Sequence, residues 1–292
     1  MSRRVLTTVA LAGLWLGTTG GRLSGEQLSV LEAEEARQQQ LERRVADAVK
    51  DQFPELARPT LNPAAARSVL ERVLSAIRQA SADRRAALLL AAHFLAVRLE
   101  PTDVPSAEEV SGSADTDIER SDLIAGYRVR YVWSPLAARW VSDRAFLRGV
   151  WSNYADTTWG EAAFVELLAR GWYEHPFCGE GADEFREVIR EGEAFLARSP
   201  RSRVRRDIVT MLAWAYETWW SLSRAATSDP YVPDPQAYAA GADAARARAI
   251  GYYEEALRLG LAGAVADDAR GRLGKLRRRA DTDQRIFHCV YD

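Results

Sequence analysis

The sequence predicts an all-α protein of stacked antiparallel helix pairs, with one small β-hairpin near residues 127–142. Three observations point there. First, "VWSNYADTTWGEAAFVELLARGW", "FLARSPRSRVRRDIVTMLAWAYETWW" and "ALRLGLAGAVADDARGRLGKLRR" each finish one helix, break briefly and open another. Second, the helices around those breaks carry apolar stripes wide enough to touch two neighbours, as a helix inside a stack must. Third, clear period-two alternation is confined to one place, "GYRVRYVWS".

The start, "MSRRVLTTVALAGLWLGTTGG", has Arg3 and Arg4 as a charged region, an apolar run over 5–17 and small residues after it. That is the layout of a secretory signal peptide, expected over residues 1–20. The apolar run is shorter than the roughly 20 residues a membrane span needs. No cysteine lies near the expected cleavage site, so the protein is expected to be periplasmic or secreted and not a lipoprotein.

An N-terminal helical region is expected over 24–99. Residues 24–50 read as a polar helix with Leu28, Leu31, Leu41, Val45 and Val49 along one side. Asn62 and Pro63 open the next helix, Asn62 as the cap and Pro63 at the first helical position, where its missing N–H does no harm. Ala66, Val69, Val73, Ile77 and Ala80 then keep helical spacing, and a third helix follows at about 84–99. "AALLLAAHFLAV" inside it reads as a buried helix, with His93 a packed core histidine.

Residues 100–122 are acidic and rich in Ser and Pro, which predicts a linker or loop. Asp115, Asp117 and Glu119 are spaced like calcium ligands. Arg120 and Gly126, however, stand where an EF-hand loop requires glycine and glutamate. In "GYRVRYVWS", Tyr127, Val129, Tyr131 and Trp133 share one face, and "RWVS" at 139–142 is the natural hairpin partner; Ser134-Pro135 could instead cap a helix.

Residues 123–292 form the expected repeat region. Aligning Ala155, Pro200 and Leu261 puts Thr157, Ser202 and Gly263 in register, with insertions at 175–181 and 227–236. Over 183–198 the stripe is Phe185, Val188, Ile189, Gly192 and Phe195, with Gly192 placed for close approach of a neighbour. Over 203–223 it is Val204, Ile208, Met211, Ala215, Trp219 and Leu222, widened by Val209, Leu212, Tyr216 and Trp220. Trp214 falls on the opposite side, among Asp207, Thr210, Glu217 and Ser221, either covered by the 224–240 insertion or open in a groove; covering is the expected fate.

These motifs carry a resemblance. "GEAFLARSPRSRVRRDIVTMLAWAYE" resembles the helix–turn–helix of tetratricopeptide-like proteins of the bacterial envelope. "ARAIGYYEEALRLG" is similar to a repeat's second helix, with Ala249, Tyr253 and Ala256 at its small, aromatic and small positions. Proteins of this kind include the outer-membrane assembly lipoproteins and the Tol–Pal-associated periplasmic coordinator. The resemblance covers about 145–279 and departs from the family in its insertions, in lacking proline at 261 and in lacking a lipid anchor. It implies a tetratricopeptide-like α-solenoid with a concave binding face.

Candidate chemistry is sparse. Lys and Arg number 39 against 41 Asp and Glu, so no charge excess points to nucleic acid. No phosphate-binding glycine loop, nucleophile elbow or haem-attachment motif occurs, and no catalytic set, metal site or cofactor is expected. His175 and Cys178 are spaced like a zinc-ligand pair, but His288 and Cys289 are adjacent and chelate poorly. Export instead predicts a disulfide between Cys178 and Cys289, giving the apolar tail "RIFHCVYD" a surface to pack on.

The basic run Arg201, Arg203, Arg205 and Arg206 opens a helix, where cations are mildly unfavourable, and together with Trp214 supplies the candidate partner-binding residues. The second run, 270–279, ends a helix and reads as solvated surface. The leading function is an exported, non-catalytic adaptor for a protein or peptide partner in the envelope, with peripheral membrane contact not predicted. The alternative is a glycan or cell-wall binder using exposed aromatics.

Overall fold

The computed structural model describes residues 25–58, 60–106, 118–134, 138–170, 183–226, 232, 234–283 and 287. The expected signal peptide, Cys178, Cys289, His175 and His288 lie outside these residues. So do the EF-hand candidates Asp115 and Asp117, Ser134's neighbour Pro135, and most of both insertions.

The described residues form nine α-helices: α1 (Gly25–Val49), α2 (Pro63–Ile77), α3 (Ala82–Arg98), α4 (Ala145–Tyr154), α5 (Thr158–Arg170), α6 (Glu184–Arg198), α7 (Arg205–Leu222), α8 (Ala242–Arg258) and α9 (Gly263–Arg277). Three strands, β1 (Glu119–Ile124), β2 (Tyr127–Ser134) and β3 (Arg139–Ser142), lie between α3 and α4. The fold is thus mostly helical, as predicted, with a three-stranded antiparallel sheet where the sequence predicted a two-stranded hairpin.

Local signals place the first helices. The Asn62 side chain accepts from the Ala65 N–H at 2.8 Å, with Pro63 at the first position, so α2 starts where its cap dictates. His93 is buried in α3, its ring against Phe94.

The hairpin forms as expected, Tyr131 opposite Ser142 and Trp133 opposite Trp140. The correction is β1, which occupies the end of the predicted acidic linker and pairs along its whole length with β2. Alternation puts Arg120, Asp122 and Ile124 on the inner face beside Tyr131, Val129 and Tyr127. Ion pairs make that face tolerable. Arg120 lies over the Trp140 ring, 4.3 Å from its centroid, and bonds Asp103; Asp122 bonds Arg67 of α2 at 2.7 Å.

The three predicted helix breaks fall between α4 and α5, α6 and α7, and α8 and α9, and each of these pairs packs together. Gly160 makes the first turn tight: a Cβ there would sit 1.9 Å from the Tyr154 carbonyl oxygen. Gly192 allows the close approach that its position predicts, because a Cβ there would meet Leu212 of α7 at 2.9 Å.

Two hydrophobic cores share α5 as a common wall. Ala162, Ala163 and Leu167 face the core built by α1–α4 and the sheet, whereas Phe164, Val165 and Leu168 face the core built by α6–α9. Phe164 stacks on Phe195 of α6 with centroids 4.2 Å apart. Arg37 of α1 reaches the fully buried Glu166 of α5 at 2.7 Å. In an open array each unit meets only its neighbours. Here α9 touches α1, so the first and last helices meet.

The tail packs as expected at the one position described. Phe287 is buried in the second core, and its carbonyl oxygen accepts from the Phe185 N–H at 3.0 Å.

Candidate functional site

α7 is the centre of the second half, packed against α6 on one side and α8 on the other. Between α6 and α8 an open groove of about 550 Å³ remains, lined by Leu196, Ala197 and Pro200, by Arg205 at the start of α7, and by Ala247, Arg248, Gly251, Tyr252 and Glu255 of α8.

The small residues make the groove. Ala197, Ala247 and Gly251 are exposed, and a Cβ added at Gly251 would meet no atom within 4 Å. Glycine in a helix interior costs roughly 0.5–1 kcal/mol relative to alanine. No left-handed backbone or close packing at Gly251 offsets that cost, so what the glycine leaves is open space above α8.

An aromatic and ionic rim borders it. Tyr216 of α7 and Tyr252 of α8 stack with centroids 5.8 Å apart and planes 20° apart. Both hydroxyls donate to Glu193 Oε1 of α6, at 2.7 and 3.0 Å. Burial first, and the Glu193 charge second, push the Tyr252 hydroxyl up to about 12 and raise Tyr216 as well. Both therefore remain protonated donors near neutral pH. Arg205 clamps Glu255 through its Nε and a terminal nitrogen, at 2.7 and 2.6 Å, and donates to the Pro200 carbonyl at 3.2 Å. Arg248 is different: its side chain is 64% exposed and comes within only 4.0 Å of Glu193.

The structure divides the residues proposed from sequence. Arg205 lines the groove and Arg201 is exposed beside Pro200, with no ion-pair partner among the described residues. Arg203 turns away to the Thr158 hydroxyl, and Arg206 lies 3.5 Å from Asp207. Trp214 is covered, the expected fate, and this removes it as a candidate partner-binding residue: at 5% exposure it belongs to the second core and presents no ring to a partner. Of its predicted polar companions, Thr210, Glu217 and Ser221 are buried as well, each with a hydrogen-bond partner, while Asp207 is half-buried beside Arg206. Thr210 donates to the Arg206 carbonyl, Glu217 accepts from Tyr253, and Ser221 donates to Asp281 at 2.7 Å.

The second basic run also needs correcting at one position. Arg272 is buried, bonding Asp268 at 2.7 Å and Glu217 at 3.3 Å. Burial pushes the Glu217 carboxyl up against the opposing pull of Arg272 and the Tyr253 hydroxyl, while the neighbouring negative groups keep Arg272 protonated. Glu217 and Tyr253 are wholly enclosed, so this network is closed to ligands and ties α7, α8 and α9 together. Trp220 extends the tie by donating from Nε1 to the Ala280 carbonyl at 3.4 Å.

Among the described residues no cluster of three or more His, Cys, Asp or Glu could hold a metal ion, and no helix is long and apolar enough to cross a membrane. Sequence reasoning found Arg205 but missed Glu193, Gly251, Tyr252 and Arg248. Gly251 carried a signal, a glycine inside a strong helical pattern with no break beside it. No protein-family model matches the chain, and no curated protein or solved structure matches it either.

Proposed function

We propose that this protein is an exported, non-catalytic helical adaptor of the cell envelope that binds a peptide or protein partner in the groove between α6 and α8. The groove itself carries the reading: an open cleft with small residues on its walls, kept clear at Gly251 against helix propensity and bordered by a fixed pair of tyrosines. Helix pairs α4–α5, α6–α7 and α8–α9 support a tetratricopeptide-like arrangement, whose concave faces suit extended segments. The charged, apolar and small-residue order of the N-terminus supports export.

The glycan alternative needs exposed aromatic platforms. None of the described tryptophans is exposed: Trp133, Trp140, Trp214 and Trp220 are buried and Trp151, Trp159 and Trp219 are half-buried. That favours the peptide reading.

The test is photo-crosslinking in cells from a probe placed at Ala247 or Ala197, both exposed on the groove. A discrete crosslinked partner that disappears when Gly251→Trp fills the cleft supports the proposal. Crosslinks unchanged by Gly251→Trp, or crosslinks to cell-wall polymer alone, refute it.

A further inference from the structure

We infer that the groove selects a carboxylate-bearing ligand, an acidic peptide segment with a small apolar side chain for the floor; this rests on the groove being the binding site.

The argument is which charges are free to change partners. The lining holds two guanidiniums, Arg205 and Arg248, and one carboxylate, Glu255. Arg205 and Glu255 satisfy each other through two short bonds, and a third donor of Arg205 is on the Pro200 carbonyl. Glu193, just outside the lining, accepts from two tyrosine hydroxyls. A basic ligand would therefore find both carboxylates already held and Arg248 in its way.

Arg248 is the reverse case. It is mostly exposed, and its distance of 4.0 Å from Glu193 is the limit of an ion pair. Exposed pairs of that quality contribute little to stability, so Arg248 can exchange Glu193 for a ligand carboxylate at small cost. A guanidinium can take a carboxylate through two parallel bonds, adding orientation as well as attraction. Arg201, exposed and next to Pro200 in the chain, adds positive potential at the same end of α6. Leu196, Ala197, Ala247 and Gly251 leave room beside these charges for an apolar side chain and little area for an aromatic platform.

The experiment measures fluorescence anisotropy of three labelled peptide pools with equal Leu and Ala content. Their variable positions carry Asp/Glu, Ser/Gln or Lys/Arg. The full chain is compared with Arg248→Glu and Gly251→Trp, each checked for a native circular dichroism spectrum. The expected result is tightest binding of the acidic pool, weakened by salt, reduced at least about fivefold by Arg248→Glu and abolished by Gly251→Trp. Equal or tighter binding of the neutral or basic pool, or an acidic pool indifferent to Arg248→Glu, overturns the selectivity while leaving the groove in place. No binding of any pool, or binding that survives Gly251→Trp, overturns the groove and the selectivity together.

Discussion

Replacing Arg272 with methionine removes the one cation enclosed with Glu217 and keeps most of the side-chain volume. Glu217 is fully buried, and besides Arg272 at 3.3 Å its carboxylate has the Tyr253 hydroxyl. Removing one member of a buried pair leaves an uncompensated charge and typically destabilises by about 3–5 kcal/mol. Asp268, which bonds Arg272 at 2.7 Å, also loses its partner but is near enough to solvent to rehydrate, so it adds little. For a chain of this size each kcal/mol moves Tm by roughly 2 °C, so the variant should melt about 6–10 °C below the wild type.

The assay is thermal and urea unfolding at pH 7.5 of Arg272→Met, Glu217→Gln and the double variant. If the pair acts as a unit, the double variant recovers part of the loss, because no charge is then stranded. A loss under about 1 kcal/mol for Arg272→Met, or additivity of the two single changes, would refute the claim that this network locks α7, α8 and α9 together.

Three further outcomes follow from named atoms. Gly160→Ala drives a methyl group onto the Tyr154 carbonyl at 1.9 Å, a backbone atom held by the α4–α5 turn, and should destabilise by about 1–3 kcal/mol; an unchanged urea midpoint would show the turn differently built. Because the folded pKa of Glu217 is raised by burial, its contribution is fully present below the ordinary glutamate value of 4.5 and is lost as pH rises through the folded value. The stability of Glu217→Gln relative to wild type should accordingly improve from pH 4.5 upward, and a difference that is flat or falls with pH argues against it. Thiol titration of unfolded, unreduced protein should find Cys178 and Cys289 paired, the bridge contributing up to roughly 4–5 kcal/mol by the chain-entropy model; two free thiols per chain would end that proposal.

What could be read from the sequence follows from where each signal lay. Asn62-Pro63 wrote the start of α2 in two adjacent residues, and the alternation at 127–133 wrote β2, because cap and pleat are local properties. β1 was missed because its inner face is Arg120 and Asp122. Their partners Trp140, Asp103 and Arg67 are distant in sequence, so the segment resembles a polar loop. The same reason hid the closed network. Glu217 and Arg272 are 55 positions apart, and on a helical wheel Glu217 looks like a solvated residue beside Asp207. The groove was half visible: a basic run opening a helix drew attention to Arg205, but the Tyr216–Tyr252–Glu193 cluster exists only once α6, α7 and α8 have packed.

The most direct test of the adaptor account is selection of a random peptide display library on the immobilised full chain, followed by affinity measurement of the winners on wild type and Gly251→Trp. A Cβ at Gly251 would meet no atom within 4 Å and glycine is a poor helix former, so the variant should keep a native circular dichroism spectrum. The account predicts peptides that bind the wild type and lose more than about tenfold on Gly251→Trp, a change above 1.4 kcal/mol. Selected peptides that bind both proteins equally would contradict it.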